Sequence, residues 1–361
     1  MALPTTHTRT PRRSRATVAL AVLATALLAA CSPAEPEVPA PVTVTPTVEA
    51  DRSAPPEPVI PVVWPLTGVE TEEVAARPAL AVKVENTTSA RPQTGLDQAD
   101  VVWETIVEFE VSRFIAVFHS QVPAEVGPIR SVRPMDPLVV APLQGLLAYS
   151  GGQSGILSQV QGSGVQSLSH DAGAPGMYRV SFRRAPHNVY GEPETFWAAA
   201  DAGHSAPPAE QFAFARTAED ASAVVAGAPA TTLAFRMSSQ ARPTWTWDAE
   251  AGRWLRAEGS TPATTPDGDR LSAVNVVAID AAHVASGFRA QGGAAVPTYE
   301  LVGSGSATVA TGGKYLDGTW SKESPEAPLV LLDEAGEPLT LAPGNTWVEL
   351  VPLGSGSLTV S

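Results

Sequence analysis

Proline and glycine are so frequent in this chain that long regular elements are excluded. The 361 residues include 34 prolines and 29 glycines. Proline interrupts both the interior of a helix and the hydrogen-bonded ladder of a sheet, and glycine favours turns. We therefore expect short strands, turns and linkers rather than a helical bundle. The apolar fraction of 44% is still large enough for packed domains.

The charge balance and the single cysteine exclude several classes of protein. A formal net charge of −14 argues against a nucleic-acid binder, which needs basic side chains to neutralise phosphates. One cysteine cannot build a disulfide framework or a multi-cysteine metal site. The sequence also lacks the P-loop, the Gly-x-Gly-x-x-Gly fingerprint, the Gly-x-Ser-x-Gly elbow and the His-Glu-x-x-His motif. We expect no cofactor and no metal.

The first thirty residues have the pattern of an export signal. Arginines without any acid precede an apolar run at residues 18–30, which is shorter than the roughly 20 residues that span a bilayer. The run ends in Leu-Ala-Ala-Cys at residues 28–31, which resembles the lipobox of bacterial lipoproteins. We expect cleavage before Cys31 and acylation of that cysteine. The acyl chains would anchor the exported chain to the extracytoplasmic face of the cell membrane.

Composition divides the chain into four segments. Residues 1–30 form the predicted signal peptide, and residues 31–63 form a predicted Pro-rich disordered tether with nine prolines and no aromatic residue. Residues 64–205 alternate β-type runs with a few helical stretches, which predicts an α+β or α/β N-terminal domain. Residues 211–355 carry many short strand candidates between turns, which predicts a mostly β C-terminal domain of sandwich or barrel-like type.

Individual elements are predicted from periodicity and turn residues. Predicted strands of the first half cover residues 79–85, 101–107 and 113–119, and predicted helices cover residues 137–147, 155–161 and 195–202. Ser154 is the predicted N-cap of the second helix. Predicted strands of the second half cover residues 231–236, 244–247, 253–256, 274–279, 299–302, 306–310, 329–332 and 346–351. Asp317 and Gly318 are predicted to form a turn.

One basic window stands out from the acidic background. Residues 111–191 carry six arginines against three acids, and the glycine-rich run at residues 151–155 precedes a predicted helix. Arginine presents a planar fork to carboxylates and phosphates, and a loop entering a helix exposes N–H groups to an anion. The predicted ligand-binding residues are Arg113, Arg130, Arg133, Ser154, Arg183, Arg184, His187 and Asn188. In the alternative, the arginines form structural ion pairs with acids of the same half, namely Glu85, Glu104, Glu108 and Asp171.

Two acids and a histidine offer a catalytic alternative. Glu104 or Glu108 together with His187 would be the acid and base of a cell-wall hydrolase. Strand-end acids that only face solvent explain the same residues without any chemistry.

Three tryptophans lie close together in a predicted hairpin. Trp245, Trp247 and Trp254 alternate with other residues along two strand candidates. They are either a surface that stacks on sugars or a cross-strand aromatic core.

Segments spread over both halves resemble a known family. They are VKVEN at residues 82–86, ARPQTGL at 90–96, ADVVWE at 99–104, GPIRSVR at 127–133, PHN at 186–188, GGK at 312–314, TWSK at 319–322 and PGNTW at 343–347. These segments resemble the YerB-like bacterial lipoproteins, a family of unknown function known as domain of unknown function 3048. The resemblance implies two adjoining domains and a lipid anchor. The chain departs from the family at Trp103, where a tyrosine is expected, and at Glu110-Val111, where a glycine-rich turn is expected.

Taken together, the sequence favours a non-enzymatic binding or adaptor protein of the cell envelope. Its predicted partners are the membrane, through acylated Cys31, and an anionic cell-wall polymer or an envelope protein, through the arginine-rich first half. A hydrolase and a purely structural envelope protein are the alternatives. The oligomeric state is left open.

Overall fold

Short strands dominate the residues that the computed structural model describes, which are residues 60–361. The strands are β1 (Leu80–Glu85), β2 (Val101–Ile106), β3 (Ser112–Phe118), β4 (Leu146–Tyr149), β5 (Gln166–Ser169), β6 (Met177–Arg179), β7 (Val189–Gly191), β8 (Ala228–Pro229), β9 (Thr232–Arg236), β10 (Pro243–Asp248), β11 (Arg253–Glu258), β12 (Thr261–Pro262), β13 (Ser272–Ala273), β14 (Asn275–Ala281), β15 (His283–Arg289), β16 (Ala295–Tyr299), β17 (Gly303–Thr311), β18 (Lys314–Lys322), β19 (Val330–Leu332), β20 (Thr346–Pro352) and β21 (Ser357–Val360). The α-helices are α1 (Asp136–Val140), α2 (Ser154–Gln161), α3 (Pro193–Ala198) and α4 (Ser222–Ala226). The predicted signal peptide, Cys31 and most of the predicted tether lie outside the described residues.

One large mixed sheet runs through both halves of the sequence. Its order is β19-β18-β17-β14-β20-β2-β3-β1-β4-β5, with β8 beside β18. The strands β1, β4 and β5 are parallel to one another, and β2, β20 and β14 are parallel to one another. Because β3 is antiparallel to both β1 and β2, all six of these strands run in the same direction. The division into residues 64–205 and 211–355 stays a prediction, since the pairing of β2 with β20 joins the two regions in one sheet.

A second sheet packs on the centre of the first. Its order is β12-β11-β10-β9-β21, with β13 beside β11. Trp245 and Trp254 are fully buried on its inner face, and the ring of Trp245 contacts Trp347 of the large sheet edge-on at 5.2 Å. The tryptophans are therefore a cross-strand aromatic core and not a sugar-stacking surface. Strands far outnumber helices, which confirms a mixed first half and a mostly β second half, and the described residues form no closed barrel.

A buried ionic cluster lies where the two sheets meet. Arg256 donates from Nη2 to Glu104 at 2.6 Å and to Glu258 at 3.0 Å, and from Nη1 to Glu349 at 2.8 Å. The strand register places Glu104 of β2 directly beside Glu349 of β20. Burial, and then the negative charge of Glu104, raise the pKa of Glu349 well above its ordinary value. Burial alone would raise the pKa of Glu104 too, but the charge of Arg256 and the hydrogen bonds to Glu104 together outweigh it and lower that pKa. The raised pKa favours the protonated form of Glu349, and the lowered pKa favours the carboxylate of Glu104 beside it.

Replacing Glu349 with glutamine should make the stability of the protein less dependent on pH. Unfolded Glu349 loses its proton near pH 4.5, whereas the raised pKa keeps it protonated in the fold. The free energy of unfolding of the natural chain should therefore fall as pH rises above 4.5, by about 1.4 kcal/mol per pH unit across the window of the shift. Glutamine is neutral at every pH and keeps the shape of the protonated side chain. Urea unfolding at pH 5 and pH 8 measures the difference, with the exposed Glu250→Gln as the control; equal slopes in all three chains would contradict the prediction.

Several predicted elements differ from the structure. The predicted helix at residues 137–147 is a single turn, α1, and then a 3-10 turn at residues 141–143 that ends before β4, because Pro142 lacks the N–H that would continue α1. The strand predicted at residues 299–302 lies earlier in the chain, because β16 covers residues 295–299 and residues 300–302 are not a strand. Gly318 lies inside β18 rather than in a turn, and a Cβ atom there would collide with the carbonyl oxygen of Leu332. The glycine thus permits a close approach of two strands.

Candidate functional site

Several strand ends meet at one edge of the large sheet. Glu85 ends β1, Tyr149 ends β4 and Ser169 ends β5, and these three strands are parallel. Arg113 lies near the start of antiparallel β3 and faces Glu85 across the strand pair. Ligands of open sheets commonly bind outside the carboxyl ends of parallel strands, where loops rather than ladders surround the backbone.

A cleft of about 620 Å³ opens at this edge. It is lined by Glu85, Glu108, Arg113, Arg130, Arg133 and His187, among others. The residues 127–133 bring the two later arginines there, because Arg130 donates its backbone N–H to Lys83 and accepts one from Ser150. The strand ends and this crossing segment thus gather three of the predicted arginines and the predicted histidine in one cleft.

Arg113 is the arginine of the cleft that lacks an acidic partner. Its side chain is 8% exposed, and its Nη1 donates to the carbonyl oxygen of Ser131 at 2.7 Å. No carboxylate of the described residues forms an ion pair with it, and its other N–H groups have no protein acceptor there. Burial first, and then the charges of Arg133 and Arg130, lower the pKa of Arg113 to about 9. The guanidinium is still charged at neutral pH. An anion beside it would offset the free-energy cost of burying that charge.

Arg130 and Arg133 are each paired. The Nε of Arg130 lies 3.2 Å from Glu85, and the Nε of Arg133 lies 2.6 Å from Glu108. Burial alone would raise the pKa of Glu108, but the hydrogen bond and the charge of Arg133 outweigh it and lower that pKa. The structural ion pairs expected in the alternative are therefore present for Glu85 and Glu108. They leave Arg113 as the guanidinium available to a ligand.

His187 is held by Glu85. Its Nδ1 lies 2.9 Å from both carboxylate oxygens of Glu85, and Oε1 of Glu85 also accepts a hydrogen bond from the hydroxyl of Thr87 at 2.9 Å. A carboxylate only accepts hydrogen bonds, so the proton of the imidazole is on Nδ1. Nε2 has no partner among the described residues, and the side chain is 27% exposed. His187 thus lines the cleft with an Nε2 that no protein group of the described residues uses. Glu85, the last residue of a predicted strand, was expected only as an ion-pair partner.

The remaining predicted residues lie outside the cleft, and some of them already form hydrogen bonds within the protein. Ser154 is the first residue of α2 and makes no cap, because the helix begins one position earlier than predicted. Arg183 donates to the carbonyl oxygens of Ser89 and Pro92 beside a different groove. Arg184 is exposed. Asn188 accepts from Arg179 and donates to Val180, so both ends of its amide are used.

Two acids named in the sequence predictions, Glu104 and Asp171, do not have the roles that were expected of them. Glu104 is buried against Arg256 between the sheets and does not line the cleft, so the catalytic alternative retains only Glu108 and His187 there. The carboxylate of Asp171 lies against Gly151, where a Cβ atom would collide with it. This carboxylate is 68% exposed and itself lines the cleft, so a negative charge already lies beside the glycine-rich loop that was expected to hold an anion.

The described residues contain no helix that is long and apolar enough to cross a membrane. Nor do residues 60–361 contain a cluster of three or more metal-ligating side chains.

Comparisons with known proteins point to one family. The N-terminal domain of the family "Protein of unknown function (DUF3048)" matches residues 66–206, and its C-terminal domain matches residues 233–348. The "Putative lipoprotein YerB" of Bacillus subtilis (strain 168) is 36% identical over 128 residues, which cover 35% of this chain and 39% of that relative. The crystal structure of the YerB protein from Bacillus subtilis superposes with a TM-score of 0.70 at 24% identity, covering 82% of this chain and 99% of that one.

The two domain matches lie in the order and in the halves of the chain where the sequence resemblance was found, and the solved YerB structure shares the fold. The chain belongs to the DUF3048 family, whose two domains it carries in order.

Proposed function

We propose that the protein is a membrane-anchored lipoprotein that binds an anionic component of the cell envelope in this cleft, with Arg113 as the charged contact. The observation that carries the proposal is the buried guanidinium of Arg113, which has no carboxylate partner in the described chain yet lines an open cleft. The lipoprotein name of the Bacillus subtilis relative and the sequence around Cys31 support the anchor. Arg130 and Arg133 add positive potential, although each is paired with an acid.

Loss of Arg113 should therefore remove anion binding. Hydrogen bonds to charged groups contribute about 1.5–3 kcal/mol, so Arg113→Met should weaken binding of a small anion by roughly 10- to 100-fold. Calorimetric titration of the full chain in detergent with inorganic phosphate and with acetate, at low ionic strength, measures the effect. The exposed Arg184→Met is the matched control and should bind like the natural chain.

The same proteins, incubated with purified cell wall, identify the natural source of the anion. Retention on wall material that is lost when its anionic polymers are stripped supports the proposal. Binding only to extracted envelope proteins would replace the polymer with a protein partner. If neither small anion binds the natural chain, or if Arg113→Met binds as well as Arg184→Met, the cleft is a structural ionic cluster and the proposal is wrong.

A hydrolase is the second candidate, favoured by the pair of Glu85 and His187. The acceptor nitrogen Nε2 of a histidine oriented by a carboxylate is the arrangement of a general base. The role would fall to His187 with Glu85 as its positioning residue, and not to Glu104. Release of soluble fragments from the cell wall in the incubation above, absent with His187→Gln, would favour this candidate over simple binding.

A further inference from the structure

An exposed aromatic ring stands at the cleft and is not explained by packing. Phe109 lines the cleft at the turn between β2 and β3, and 70% of its surface is exposed. Phe182 is equally exposed, but its ring contacts Tyr190 edge-on at 5.6 Å and the guanidinium of Arg183. No aromatic ring or guanidinium among the described residues makes such a contact with Phe109. The two side chains therefore differ in what their rings already contact.

The backbone at Phe109 is in a conformation that L-residues rarely adopt. Phe109 has a φ of 63° and Glu110 a φ of 59°. Glycine adopts these angles freely, and the family resemblance leads to the expectation of a glycine-rich turn here. Non-glycine residues in the left-handed region occur mainly where the surrounding structure enforces them, and they concentrate at functional sites.

Contacts on both sides of the turn enforce this conformation. Glu108 is held by Arg133 on the cleft side. On the other side the carbonyl oxygen of Glu110 accepts a hydrogen bond from Ser238 at 2.6 Å, and the carboxylate of Glu110 accepts from the backbone N–H of Ser239 at 3.2 Å. The backbone at Phe109 is thus held on both sides of the turn, while the ring itself stays in water at the cleft.

We infer that Phe109 is the apolar contact of the ligand, and that the ligand is an anion with a planar apolar group attached to its charged group. The inference rests on the proposed binding of an anion at Arg113. An exposed phenylalanine ring gains free energy when a flat apolar group covers it, both through the area removed from water and through ring stacking. A bare inorganic anion would use Arg113 and leave the ring uncovered.

Phenyl phosphate and inorganic phosphate separate the two contacts, because both carry the charge and only one carries a ring. The full chain in detergent should bind phenyl phosphate roughly tenfold more tightly than inorganic phosphate, the ratio expected from stacking one ring. In Phe109→Ala the ratio should fall close to one, while the affinity for inorganic phosphate stays within about twofold of the natural value. Phe182→Ala is the matched control and should retain the tenfold ratio.

A second variant ensures that the turn itself is not what the experiment measures. Phe109→Asn removes the ring but suits the left-handed conformation, because asparagine tolerates a positive φ. It should lose the preference for phenyl phosphate as fully as Phe109→Ala, with an unchanged urea midpoint. Equal binding of the two phosphates by the natural chain, or a ratio that survives both substitutions, would overturn the role of Phe109 and leave the proposed function standing. Absence of binding of both phosphates would overturn the proposed function as well.

Discussion

Replacing Arg256 with methionine is expected to lower the free energy of unfolding by about 3–5 kcal/mol, the cost of removing one partner from a buried ionic cluster. Arg256 is fully buried and donates to three carboxylates, and its guanidinium lies 4.7 Å from the centroid of the Trp347 ring. Without it, Glu104 is a buried charge with no cation in reach. Methionine fills much of the volume, so the loss reports the charge rather than a cavity.

Urea unfolding followed by tryptophan fluorescence measures this loss, because Trp245 and Trp347 flank the guanidinium. The exposed Arg242→Met is the control and should change the free energy by less than about 0.5 kcal/mol. Adding Glu104→Gln to Arg256→Met should recover part of the lost stability, since the amide of glutamine carries no charge that would be buried without a partner. A loss below about 1 kcal/mol for Arg256→Met would show that the cluster contributes little.

Replacing Asp136 with asparagine should have a comparable effect beneath the cleft. Lys83 and Asp136 form an ion pair of 2.7 Å in which both side chains are fully buried, and Asp136 also accepts the backbone N–H of Arg133 at 2.8 Å. The substitution leaves the Lys83 ammonium without its partner, at a cost of about 3–5 kcal/mol. It also loosens the segment that carries Arg130 and Arg133 into the cleft.

The pH dependence of Asp136→Asn shows whether its loss of stability comes from the unpaired ammonium of Lys83 or from a general loss of packing. Burial lowers the pKa of Lys83 to about 8, against the opposing charge of Asp136. The unfolded lysine keeps its proton to higher pH, so the stability of the natural chain rises between pH 8 and about 10.5. Without Asp136 the pKa of Lys83 falls further and this rise begins below pH 8.

The stability deficit of Asp136→Asn should therefore be larger at pH 6 than at pH 9. Urea unfolding at the two pH values measures it, and the exposed Asp97→Asn should show no deficit at either pH. A deficit of the same size at both values would mean that the ammonium is not the cause.

Local sequence patterns predicted the strands of this protein best where the residues of a strand determine its conformation without help from neighbouring elements. The alternation along residues 79–85 and the paired runs around Phe109 correspond to β1, β2 and β3. Prediction failed where packing between elements decides. Gly318 has the appearance of a turn residue in the sequence, but it lies within β18 because a neighbouring strand comes too close for a side chain. The predicted helix at residues 137–147 failed for a local reason instead, because Pro142 lacks the N–H that would continue α1.

The candidate site shows the same division. The basic window identified Arg113, Arg130, Arg133 and His187, which do meet in one cleft. The sequence could not tell which guanidinium is left unpaired, because the carboxylates that neutralise the others come from β1 and from the turn after β2. Glu104 looked equivalent to Glu108, yet the strand register places it between the sheets beside Glu349 and Arg256.

The sequence by itself determined that this is a chain of short strands, that its basic residues are concentrated in one window, and which family it resembles. Proline, glycine and charge act through the local backbone and through composition, which a sequence displays directly. Only the tertiary structure decided that both halves share one sheet, that Arg113 has no acidic partner in the described chain while Arg256 has three, and that Phe109 stands at the cleft. Those outcomes depend on contacts between residues far apart in the chain, so local patterns carry no record of them.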